Sequence, residues 1–227
     1  MAAILEAKDL CRQFGTGKNV VRAVKNVSIA IPAGQLTVLR GPSGSGKTTL
    51  LNMLSTLDLP TSGAILYDGK TDLTALSLRQ RDAFRRRESA IIFQAVALMG
   101  EMTAYENVEF GLRIAGVRGG RERRKRAEES LTLVGLGKRM SHIPSELSGG
   151  EQQRIAIARA IAHRPKVIFA DEPTAELDSG TALQVMKVFK DLIRGENLSV
   201  VMTTHDPNMM EIADTVYTLR DGEIVEE

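Results

Sequence analysis

The chain has 227 residues, 43% of them hydrophobic and 26% charged, with a formal net charge of +2. That length is enough to bury a core in one large α/β domain or two small ones, and the composition is that of a globular protein rather than a disordered or fibrous one. So balanced a charge gives no global field for nucleic acid; the one cysteine, Cys11, excludes an internal disulfide and fits a reducing cytosol; no run approaches the ~18 apolar residues of a membrane span.

In chain order, Met1 to Leu10 carries Glu6, Lys8 and Asp9 and holds no apolar stretch of signal-peptide length. If such a chain works at a membrane, a partner is expected to hold it there. Gly34–Gln35 precedes the apolar run Leu36–Leu39, a glycine-rich loop follows, and Thr48 to Leu57, with leucines at 50, 51, 54 and 57, predicts a helix. Tyr105 to Ala162 reads as mostly helical, and includes the charged run Arg118 to Glu129. Val167–Ala170 is a continuous apolar run, as expected of a parallel strand covered on both faces. Thr181 to Ile193 is helical, Leu198 to Met202 is a short β-type run, and Val216–Leu219, Asp221–Gly222 and Glu223–Val225 predict a closing hairpin. These elements describe an α/β core interrupted by a helical insertion, without repeats or linkers.

Two motifs carry chemistry. Gly41-Pro42-Ser43-Gly44-Ser45-Gly46-Lys47-Thr48 matches the P-loop, in which glycines let successive backbone N–H groups turn toward phosphate oxygens and the following helix points its positive end at the same anion. Lys47 is placed to reach the β- and γ-phosphates and the Thr48 hydroxyl to ligate Mg²⁺, with Thr49 beside it on the same turn. Val167 to Ala170 then ends in Asp171-Glu172. A strand-end aspartate of this kind holds the Mg²⁺ shell in P-loop enzymes, and Glu172 is a candidate to polarise the attacking water. The plain alternative is a strand that exits to solvent with two acids.

Leu147-Ser148-Gly149-Gly150-Glu151 completes the set. A chance match in this length is on the order of one in a few thousand by composition. Ser148 and the two glycines open a helix, which leaves N-terminal N–H groups for an anion; an N-capped helix with a tight turn is the plain alternative. With the P-loop before it and the acid-ended strand after it, this chain resembles the ABC ATPase family over essentially its whole length. The resemblance implies a P-loop NTPase (RecA-like) α/β core with a parallel sheet, an N-terminal antiparallel β part and a helical subdomain carrying the signature motif. The division would be a single ABC ATPase domain over 1–227, with a catalytic core at about 1–94 and 164–227 and a helical subdomain at about 95–163. It implies ATP and Mg²⁺ as cofactors and an ATP-dependent homodimer in which Ser148, Gly149 and Gly150 serve the nucleotide of the second copy. Gln94 matches the Q-loop glutamine that touches Mg²⁺ and water, Asp178 the D-loop, and His205 the switch histidine at the γ-phosphate. Phe14 falls where the family stacks a ring on adenine. Each also has a local reading: Gln94 as a loop amide, Asp178 as a cap of the helix from Ser179, His205 as a loop histidine, Phe14 as core.

Leu57-Asp58-Leu59-Pro60-Thr61-Ser62-Gly63 and Ala170-Asp171-Glu172-Pro173-Thr174 are similar to the MacB/LolD/FtsE-type group of cassettes. Departures are Ala175-Glu176 where many members have Gly-Asn, Ala95-Val96-Ala97 where many have Phe-Asn-Leu, and Phe14 for a more frequent tyrosine. The resemblance implies an ATPase driving lipoprotein, peptide or macrolide-type extrusion through a separate transmembrane permease subunit of MacB/LolC/FtsX type. That places it in the cytoplasm, peripheral on the inner face of the cell membrane; an FtsE-like regulatory ATPase that moves no substrate is the alternative. The basic run at 118–126 is expected to be a solvated helix face rather than a nucleic-acid footprint, because Glu122, Glu128 and Glu129 interleave. Met99 and Met102 are expected either to line a docking groove or to fill local core.

Overall fold

A computed structural model describes residues 2–175, 177–204 and 210–225, with the side chain of Lys18 excepted. In chain order the elements are β1 (Ala3–Phe14), β2 (Val21–Pro32), β3 (Leu36–Arg40), α1 (Lys47–Leu54), β4 (Ser62–Tyr67), β5 (Thr71–Asp72), α2 (Leu78–Arg87) and β6 (Ser89–Ile92). Then follow α3 (Ala104–Ile114), α4 (Gly120–Leu133), α5 (Gly149–Ile161), β7 (Val167–Asp171), α6 (Ser179–Glu196), β8 (Ser199–Thr203), β9 (Thr215–Arg220) and β10 (Glu223–Val225).

The larger sheet runs β10-β9-β3-β8-β7-β6, and every pairing from β9 to β6 is parallel. β8 is buried at all five positions and β7 at four of five, which is why both read as unbroken apolar runs. The closing hairpin β9–β10 is antiparallel, as Asp221–Gly222 predicts. A second, antiparallel sheet, β2-β1-β4-β5, covers the N-terminal side. β2 alternates inward Val27, Ile29 and Ile31 with outward residues, and Val24 turns inward ahead of the break at Asn26, φ 48°.

Two apolar clusters hold these layers. One packs Val38, Ile168, Val200 and Met202 of the parallel sheet against α3, α4, α5 and α6. The other packs Leu39, Phe169 and Val201 against α1 and the antiparallel sheet. Side chains of opposite pleat from the same strands thus enter different clusters, and the sheet is the wall between them.

α1 is shorter than its leucine spacing predicts. Thr56 takes a φ of 61°, and the N–H groups of Leu57 and Asp58 both turn back to the Asn52 carbonyl, at 2.9 and 3.1 Å. The chain therefore leaves the helix after Leu54 and runs toward β1. Predicted α6 lengthens at both ends instead, because Asp178 caps its start and Asn197, in the left-handed region, ends it. Among the described residues no helix is long and apolar enough to cross a membrane.

Candidate functional site

The strand order decides what meets at the carboxyl edge of the parallel sheet. β3 delivers the loop 41–48, β8 delivers Thr203, β7 delivers Asp171 and Glu172, and β6 leads to Gln94 two residues past Ile92, itself paired with Ala170. Crevices at such strand ends are where open α/β sheets bind ligands.

Within the loop, two glycines are fixed by close packing. At Gly41, φ 147°, an added Cβ would lie 2.1 Å from the Leu219 carbonyl oxygen; at Gly46, φ 105°, it would lie 2.3 Å from that of Ala23. At Gly44, φ 77°, it would meet nothing within 4 Å, so only the backbone conformation asks for glycine there. Pro42 and Ser43 face outward beside Gly44, and Thr49 is half-buried behind Thr48. Lys47 is buried and curls over the loop, its Nζ donating to the carbonyls of Gly41 and Pro42 at 2.8 and 2.9 Å. The Ser45 hydroxyl is buried without a hydrogen-bond partner among the described residues. An orphaned hydroxyl and a buried ammonium in a glycine-rich loop at the start of a helix suit a phosphate chain.

The acidic pair is joined to this loop directly. Thr48 Oγ1 donates to Asp171 Oδ1 at 3.2 Å, across 123 residues of sequence. Thr203 donates to the same oxygen at 2.6 Å and accepts the Glu172 N–H at 2.9 Å. Glu172 itself sits at φ 46°, a conformation that is uncommon for a residue other than glycine and is typical of functional turns. Thr203 is the site residue that sequence reasoning missed; it ends an apolar strand two residues before His205, and only β8's place between β3 and β7 gives it a role. The Thr48 hydroxyl and the Asp171 carboxylate, with the Gln94 amide following the strand next to β7, offer the hard oxygen donors that Mg²⁺ takes. Gln94 is exposed, on the bend after β6. His205 lies outside the described residues.

The signature segment forms a capped helix start. Ser148 Oγ accepts the Glu151 N–H at 3.3 Å, and the Glu151 carboxylate accepts the Ser148 N–H at 3.0 Å. That backbone bond, with the hydroxyl's, holds the Glu151 carboxyl below its usual pKa. The capping reading and the anion reading coexist, because the cap leaves the N–H groups of Gly149 and Gly150 at the first turn. A Cβ at Gly149 would meet nothing within 4 Å, so packing inside the chain does not require glycine there. α5 is tied to the acidic pair through buried Gln153, whose Nε2 donates to the Pro173 carbonyl at 3.1 Å. Asp178 is the α6 cap: it accepts the Thr181 hydroxyl at 2.6 Å and its N–H at 3.0 Å, which lowers its carboxyl pKa.

Phe14 is not core. It is 42% exposed at the end of β1, paired with Val21, two residues from the Ala23 carbonyl that touches Gly46. Met99 is exposed and lines a groove of about 560 Å³ with Arg159, Ile114 and His163, while Met102 is half-buried. The basic helix α4 is a solvated face with internal pairs, Arg124–Glu128 at 2.9 Å, Arg126–Glu122 at 2.6 Å and Lys125–Glu129 at 3.8 Å. The fold does bring one aromatic ring, Tyr105, to the edge of this run.

Comparison with known proteins agrees with this geometry. The family model described as ABC transporter matches residues 24–175. An uncharacterized ABC transporter ATP-binding protein of Methanocaldococcus jannaschii is 44% identical over 98% of both chains. A lipoprotein-releasing system ATP-binding protein LolD of Rhodospirillum rubrum is 40% identical, again over 98% of both. Among solved structures, the dimeric post-hydrolysis state of the ATP-binding cassette MJ0796, bound to ADP and Pi, superposes with a TM-score of 0.91 at 38% identity, covering 98% of this chain and 97% of that one.

Proposed function

The chain belongs to the ABC transporter family, and on that premise we infer that it is the ATP-hydrolysing subunit of a transporter whose membrane-spanning part is a separate protein. The observation that carries this reading is the join of Thr48, Asp171, Thr203 and Glu172 at one sheet edge, under a loop that buries Lys47. In this reading the loop N–H groups of residues 43–49 hold the phosphates, and Phe14 stacks on adenine. Lys47 neutralises charge on the β- and γ-phosphates. Thr48, Asp171 and Gln94 would hold Mg²⁺, which would supply neutralisation of the phosphate charge. Glu172 orients water for in-line attack on the γ-phosphorus and takes up its proton as the bond to ADP breaks. His205 is assigned the γ-phosphate contact.

The open space over Gly149 supports a ligand arriving from outside the chain, namely ATP on a second copy, with Ser148, Gly149, Gly150 and Asp178 facing it across a homodimer. ATP binding closes the dimer and hydrolysis reopens it. The same reading divides the chain into a catalytic core of about 1–94 and 164–227 and a helical subdomain of about 95–163. It places the protein peripherally on the cytoplasmic face of the membrane, beside a permease that extrudes lipoprotein, peptide or macrolide-type cargo and without a role in binding nucleic acid.

Glu172→Gln tests the assignment. The variant is expected to bind ATP, to lose turnover and to elute as an ATP-dependent dimer in size-exclusion runs. Full ATPase activity in Glu172→Gln would remove Glu172 from the mechanism. Tagged Glu172→Gln, purified with ATP from detergent-solubilised native membranes, is expected to bring down a membrane protein; recovery of the cassette alone would count against a transport role.

A further inference from the structure

Leu57 to Gly63 is a motif to which the chemistry above gives no work. Its place in the fold supplies one. The Asp58 carboxylate grips the Arg12 guanidinium in a bidentate pair, with Nε to Oδ2 and Nη2 to Oδ1 both at 2.8 Å. Asp58 Oδ1 also accepts the Leu59 N–H at 2.8 Å, which fixes the carboxylate on its own loop. Thr61 brackets the same stretch of β1: its N–H donates to the Cys11 carbonyl at 2.8 Å, and its hydroxyl accepts the Gln13 N–H at 3.0 Å. The loop thus holds the residues on both sides of Arg12 and the Arg12 head group itself. Arg12 in turn places its Cζ 4.5 Å from the centroid of the Phe14 ring.

Two parallel bonds fix the plane and place of the guanidinium, so the pair sets where the Arg12 charge lies as well as bracing the loop. Phe14 has no hydroxyl to fix its ring, and at 42% exposure little else does so. We propose that Arg12, held by Asp58, is a positioning residue for the adenine base: it covers one face of Phe14 and leaves the opposite face for the base. The inference rests on the reading of Phe14 as the adenine platform. A cation on the rear face holds the ring in one orientation before the base arrives, so stacking does not have to order it, and it draws π density away from the face that meets the electron-rich purine. The loop that carries Asp58 is hydrogen-bonded to α1, the helix that begins at Lys47, so phosphate and base subsites share one support.

The test is calorimetric binding of Mg-ATP and of Mg-tripolyphosphate, which has no base, to the full chain. Arg12→Met and the milder Asp58→Asn are expected to weaken ATP binding roughly three- to tenfold, the range of one aromatic contact, and to leave tripolyphosphate binding unchanged. In a Phe14→Leu background the Arg12→Met effect is expected to vanish. Parallel loss of ATP and tripolyphosphate, or an undiminished Arg12→Met effect without Phe14, would make the pair a general brace and overturn the proposal. If Phe14→Leu weakens ATP while Arg12→Met and Asp58→Asn do not, the positioning role alone fails. If Phe14→Leu leaves ATP binding intact, the platform reading fails and the proposal with it.

Discussion

Thr203→Val separates the hydroxyl that organises the acidic pair from the volume that fills its place. Thr203 is 0% exposed, donates to Asp171 Oδ1 at 2.6 Å and accepts the Glu172 N–H at 2.9 Å. Valine keeps the shape and removes both bonds. A hydrogen bond to a charged group contributes about 1.5–3 kcal/mol, and the part-buried Glu172 N–H left without this acceptor costs about 1–3 kcal/mol. The added methyl returns about 1 kcal/mol of burial. The net expectation is a loss of about 1.5–5 kcal/mol, read as a lower midpoint in urea unfolding with an unchanged slope. The bond from Thr203 to its N–H helps hold Glu172 at a φ of 46°, so its carboxylate is expected to lose its aim as well. ATPase turnover is expected to fall on the order of tenfold or more, with ATP affinity changing less. Thr203→Ser, which keeps the hydroxyl, is the control. Thr203→Val with wild-type stability and turnover would refute the account of this edge, and a stability loss with full turnover would confine Thr203 to folding.

Gly46→Ala is expected to destabilise the fold by about 2–4 kcal/mol and Gly44→Ala by about 1–2 kcal/mol, because the first adds a Cβ contact at 2.3 Å to the same left-handed strain and the second adds strain alone. Thermal unfolding of the pair decides this, and equal losses would count against the Ala23 contact. Burial of His163, against an acceptor at the Ser89 carbonyl, lowers its pKa from 6.5. The unfolded chain therefore binds the proton more readily, so this contribution to stability is complete above about pH 6.5 and is lost as pH falls through the lower folded value. His163→Asn is expected to flatten the decline in unfolding free energy between neutral and mildly acid pH; an unchanged slope would show that other groups cause it.

What could be read from the sequence was local. The P-loop, the signature segment and the acid-ended strand are contiguous, and each carries its own physics in its residue types. The caps at Ser148 and Asp178 were legible for the same reason, since capping spans only three residues. Thr203 was not, because its partners lie 31 and 32 residues away and on another strand. Arg12 and Asp58 are 46 residues apart and meet only because α1 stops at Leu54. The long strands β1 and β2 hid as well. Asp9 and Asn26 take positive φ, and register shifts along β1 break the two-residue alternation by which strands are recognised.

The strand order also sets a timetable for synthesis. β3 carries the phosphate loop and emerges early, yet both of its neighbours, β8 and β9, lie beyond residue 198. On the ribosome, Leu36–Arg40 waits with two open edges while β6 and β7 can already pair with each other. An apolar strand in that condition is a ready template for wrong partners and a natural client for a chaperone. A chain that stops short of Ser199 would therefore contain every glycine of its phosphate loop but lack both strands that flank β3 and the Leu219 carbonyl that Gly41 packs against.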